Sequence, residues 1–152
     1  MTTLEAMYKK AFEQCEKENI LADSGRDCLL LNCDSYCQKV EAILGYLACK
    51  DFSFATHTIT GWTVIEYGVD LDSKSPWYHS VCKIPDSDLF FDIKGMRTEQ
   101  EILAEYVNSE DENSYYAVEV DPEPYHLCDT KPLEQLAHSL ISRDSYKLAV
   151  NT

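Results

Sequence analysis

Positive charge is what this chain lacks most. It carries 13 lysines and arginines against 27 aspartates and glutamates, a formal net charge of −14. Such a surface repels phosphates, which excludes direct binding of nucleic acid. It suits a basic protein partner instead, or imitation of a nucleic-acid backbone toward a protein that binds one. Glycine is scarce too, with five in the chain, and no Gly-rich phosphate loop, Walker motif or dinucleotide fingerprint occurs, so no cofactor is predicted. No run of about 18 apolar residues exists, which predicts no membrane span. The opening MTTLEAMYKKAFEQ lacks the basic-then-apolar order of a signal peptide, and no N-x-S/T acceptor follows. Seven cysteines, an odd number without secreted-scaffold spacing, complete the expectation of a reducing cytoplasm with free thiols.

What is present argues for a packed core. Apolar residues make up 45% of the 152 and aromatics 11%, enough for one folded domain. Residues 3–18 place Leu4, Met7, Tyr8, Ala11, Phe12 and Cys15 on one helical stripe, opened by the capping-box pair Thr2 and Glu5. After a turn at Asp23-Ser24-Gly25, a second helix is predicted from near Cys33 to about Cys49, with Val40, Ile43, Leu44 and Leu47 buried. Period two then takes over: FSFATHTIT, WTVIEYGV, YHSVCKI and LFFDI read as four strands, with a break at LDSKSP. Thr98 and Glu101 open another helix, an acidic loop NSEDENS follows, YYAVEV is a fifth strand, and Pro132 starts a last helix.

The stretch Trp77–Gly95 concentrates the chemistry. A tight turn at Pro85–Asp88 predicts a hairpin in which residue i faces 173 minus i. Tyr78, Cys82, Ile84, Leu89, Phe91 and Ile93 then share an apolar face. His79, Val81, Lys83, Phe90, Asp92 and Lys94 occupy the other, and His79 and Asp92 are diagonal neighbours there. A carboxylate amid apolar residues needs a partner, and a His-Asp couple orients an imidazole as a base. Cys33, at the predicted helix entrance, would have a lowered thiol pKa and serve as nucleophile; Cys37, one turn on, is the alternative. Cys28, Cys33, Cys37 and His79 lack the C-x2-C spacing of a zinc knuckle or ribbon, so no metal site is predicted.

This order resembles that of the papain-like and transglutaminase-like cysteine enzymes: a cysteine opening a helix in NCDSYCQKVEAILGYL, a histidine in HSVCKI, an aspartate in LFFDIKG. The resemblance implies an α+β fold, N-terminal helices packed on an antiparallel sheet of about five strands. It also implies a Cys33-His79-Asp92 triad acting on an amide or thioester of a protein or peptide substrate. The Cys33 N–H, with Asn32, would hold the oxyanion, and Trp62 and Trp77 would wall a substrate cleft. Two other readings stay open: an acidic binding protein or inhibitor, and a papain-like module that binds without catalysis.

Overall fold

The computed structural model describes residues 2–20, 29–69, 77–107 and 115–150. Cys28, the Asp23–Gly25 turn, LDSKSP and the NSEDENS loop lie outside the described residues. Helix α1 spans Thr3–Lys17, its capping box formed by Thr2 and Glu5 as the spacing requires. Helix α2 spans Tyr36–Tyr46 and α3 Cys49–Thr60. Strands β1 (Thr63–Val69), β2 (Trp77–Lys83), β3 (Leu89–Asp92) and β4 (Gly95–Thr98) follow. Then come α4 (Glu99–Tyr106), β5 (Tyr115–Val120), α5 (Lys131–Asp144) and the short α6 (Tyr146–Val150).

The five strands form an antiparallel sheet in the order β4-β3-β2-β1-β5. Hairpin pairs Cys82↔Phe91 and Lys83↔Phe90 give the predicted register of 173, and Asp86 turns the chain with a φ of 58°. Helices α1, α2, α3 and α5 bury their stripes against one face, where Cys82, Ile84, Leu89, Phe91 and Ile93 lie at 3% exposure or less. Helix α4 covers part of the other face, with Ile102 packed on Tyr67 and Val81. The α+β arrangement with N-terminal helices on a five-stranded sheet is therefore as the sequence predicts.

Two assignments change. The helix expected from near Cys33 to about Cys49 runs instead from Tyr36 to Tyr46 and stops at Leu47 and Ala48, whose N–H groups both bond the Ile43 carbonyl; Cys49 opens a new helix. FSFATHTIT is not a strand but most of α3. Its β-branched threonines suggested extended chain, yet Cys49, Phe52, Ser53, Ala55 and Thr56 fall at helical spacing and are buried. Thr56, Thr58 and Thr60 return their hydroxyls to the carbonyls four residues back, the bond that lets threonine sit in a helix. Burial of the stripe overrides propensity here. Strand β4, unforeseen, closes the sheet beyond β3.

Candidate active site

His79 lies on β2 and Asp92 ends β3, both pointing away from the four-helix face. Their side chains meet: His79 Nε2 is 2.9 Å from Asp92 Oδ2, with exposures of 0% and 2%. The Asp92 carboxylate also accepts the Lys94 N–H at 2.9 Å and a bond from Arg97 Nη2. Burial opposes its ionisation, but His79 and then Arg97 hold its carboxyl below the usual range. Arg97 reaches on to Glu105 Oε1 at 2.7 Å, and Glu105 takes further bonds from Tyr46 and Lys94. A charged line thus runs from the imidazole to the surface, giving each buried charge a partner.

The cysteine beside this imidazole is Cys49, the first residue of α3. Burial pulls the His79 pKa down; the Asp92 carboxylate, followed by the adjoining Cys49 thiol, overcomes this and pushes it up to about 9. With Nε2–H donating to Asp92, Nδ1 is the ring nitrogen left for the thiol. Nδ1 is buried and completes no hydrogen bond among the described residues, so the bond from the thiol is not formed here. Such contacts are often loose before substrate arrives. The Tyr106 ring stacks on the imidazole, centroids 4.0 Å apart, and its hydroxyl donates to the Gly45 carbonyl.

The start of α3 is unusual. Its N-cap is Ala48, which offers no side-chain bond, so no cap side chain satisfies the first-turn N–H groups. Asp51, in the same turn and fully buried, faces elsewhere: its Oδ1 accepts the N–H groups of Tyr125, His126 and Leu127 at 2.8–3.0 Å. It ties the chain after β5 to the helix that carries Cys49.

The structure brings His79 and Asp92 together but sets Cys33 elsewhere. Helix α2 begins at Tyr36 with Ser35 as its cap, so Cys33 precedes the helix, and its thiol donates to the Leu29 carbonyl at 3.8 Å. Cys37 bonds Glu41, and burial pushes its thiol up to about 11. Asn32 is exposed in the turn before Cys33. Trp62 packs edge-on against Phe91 of the core, and its carbonyl accepts from His57 Nδ1 at 2.8 Å, which makes it a packing residue rather than a cleft wall. Trp77 opens β2 opposite Val69; its side chain lies outside the described residues. Sequence reasoning missed Cys49, Arg97 and Tyr106. The signal for Cys49 was present, since Cys49, Phe52 and Thr56 fall at positions i, i+3 and i+7, with an acidic Asp51 in the first turn. Comparison of the chain with protein-family models, with curated proteins and with solved structures finds no match.

Proposed function

We propose that this protein is a cysteine hydrolase or acyl-transfer enzyme of papain-like or transglutaminase-like arrangement, acting on an amide or thioester of a protein or peptide. Cys49 takes the role first expected of Cys33. One observation carries the reading: a thiol at the first residue of a helix without a capping side chain adjoins an imidazole held by a buried carboxylate. His79, pushed up to about 9, already holds the proton at Nδ1 as an imidazolium braced by Asp92, and the Cys49 sulfur, its ion-pair partner, attacks the carbonyl carbon. The oxyanion sits at the start of α3, where the Cys49 N–H and the helix dipole stabilise negative charge. Collapse of the intermediate breaks the bond to the leaving group, which takes the proton from His79. Water or an amine then attacks the thioester, giving up its proton to His79 and releasing Cys49. Arg97 is a positioning residue that keeps Asp92 ionised.

The six cysteines among the described residues are free, in keeping with a reducing cytoplasm, and no helix among those residues is long and apolar enough to cross a membrane. A second reading, a module that binds without turnover, draws on one observation: Cys49 is 3% exposed and Tyr106 covers His79. Alkylation by iodoacetamide at neutral pH, followed by peptide mass mapping, separates the two. Cys49 reacts first among the seven thiols, and His79→Ala slows it by about 100-fold, the usual worth of a general base. Equal rates at all seven thiols would sink the enzyme reading. Under the second reading Cys49 becomes reactive only in Tyr106→Ala.

A further inference from the structure

A cavity of about 380 Å³ opens on the helical side of the sheet, within the range of small-ligand sites. Three strands make its floor: Ser80 of β2 pairs with Glu66 of β1, and Val64 of β1 pairs with Val120 of β5. Lys50, Asp121 and Glu123 complete the lining. Lys50 directly follows Cys49 at the start of α3, and Ser80 follows His79 on the opposite sheet face, so the cavity lies beside the first turn of α3 and across strand β2 from the proposed base.

Its chemistry is specific. Ser80 Oγ is buried, its residue 1% exposed, and it has no hydrogen-bond partner among the described residues. An unsatisfied buried hydroxyl costs stability, typically about 1–3 kcal/mol, and one lining a cavity is placed to serve an occupant. Three carboxylates face one ammonium. Lys50 is already paired with Glu66 at 3.8 Å, and Glu66 also accepts from the Tyr116 hydroxyl. Asp121 and Glu123 are exposed and carry no ion pair among the described residues, leaving a surplus of two negative charges. Val64 and Val120 offer an aliphatic wall. We infer that this cavity binds a basic side chain, lysine or arginine, of a peptide substrate. The methylene stem lies on the two valines, the cationic head sits by Asp121 and Glu123, and a donor bonds Ser80 Oγ. This rests on the proposed function only in making the bound peptide a substrate; the binding itself does not need catalysis.

Two readouts on the full chain test it. The first is binding: titration with Nα-acetyl-lysine methylamide should shift the backbone amide signals of Ser80 and Val120, and the neutral norleucine analogue should not. The second is reaction: chloroacetyl-lysine amide should alkylate Cys49 about tenfold faster than chloroacetyl-norleucine amide, a difference near 1.4 kcal/mol. The double variant Asp121→Asn, Glu123→Gln should remove both preferences while leaving the iodoacetamide rate unchanged. Ser80→Ala should weaken binding of the lysine compound alone. Shifts at Ser80 without selective alkylation of Cys49 would uphold the subsite and overturn the enzyme. Selective alkylation of Cys49 by iodoacetamide, with no lysine shift and no cation preference, would overturn the subsite and spare the enzyme.

Discussion

The starts of α2 and α3 each have a cysteine nearby, and they differ in what satisfies the backbone. At α2, Ser35 Oγ accepts the Gln38 N–H at 3.1 Å while Gln38 Oε1 takes the Asp34 N–H at 2.6 Å. That end is closed by its own side chains, and Cys33 lies outside it. At α3 the cap is an alanine, and the acidic residue of the first turn is engaged by the 125–127 segment. There no cap side chain takes the first-turn N–H groups, and the cysteine is the first helical residue. A cysteine near a helix start is thus a weak sign of reactivity. A cysteine at an uncapped start, against an imidazole, is a stronger one.

The sharpest way to break this contrast is to exchange the thiols. With p-nitrophenyl acetate, mass spectrometry should find an acetyl thioester on Cys49. Cys49→Ser should abolish it, and Cys33→Ser should leave it unchanged; an adduct that follows Cys33 would reverse the assignment.

Next in size is the pH dependence of stability. His79 is held above its ordinary value, so its contribution is full below about pH 6.5 and lost as pH rises through about 9, an effect of about 3 kcal/mol. Asp92 is held below its ordinary value, so its contribution is present above the carboxylate range and lost in acid. Urea unfolding at about pH 6 and about pH 10 should show the alkaline loss in the wild type and a much smaller one in His79→Gln.

Asp51→Ala should cost about 2–3 kcal/mol by leaving three backbone N–H groups without their acceptor, and should slow labelling of Cys49 as the α3 start loosens. Smallest are the exchanged caps. Ser35→Ala should cost about 1 kcal/mol and leave Cys49 reactivity alone. Ala48→Ser should stabilise α3 by up to about 1 kcal/mol while slowing Cys49, because the new hydroxyl engages the N–H groups that serve the anion. A faster Cys49 in that variant would remove the role given to the open helix start.

The hairpin and its polar face were legible because side chains alternate strictly along a strand and the turn residues fixed the register. The α3 start was not legible for a related reason. The alternation of Phe52, Phe54 and threonines imitates a strand over nine residues, while the helical stripe beginning at Cys49 emerges only when the window starts three residues earlier. Arg97 was hidden because β4 is four residues long and carries no alternating pattern of its own. Tyr106 lies one helical turn after Ile102, and nothing local says that what it meets is His79.

The turn at Pro85–Asp88 carries one more consequence. Because His79 precedes it and Asp92 follows it, the turn acts as a ruler whose length matters more than its letters. Replacing Ser87 or Asp88 alters local bonds, but adding or removing one residue rotates one strand by a half-period relative to the other. Asp92 would then face the α3 core, or His79 would, and the couple would vanish with every residue of the site still present. Chains descended from this one are therefore free to vary the chemistry of that turn long before they are free to vary its length.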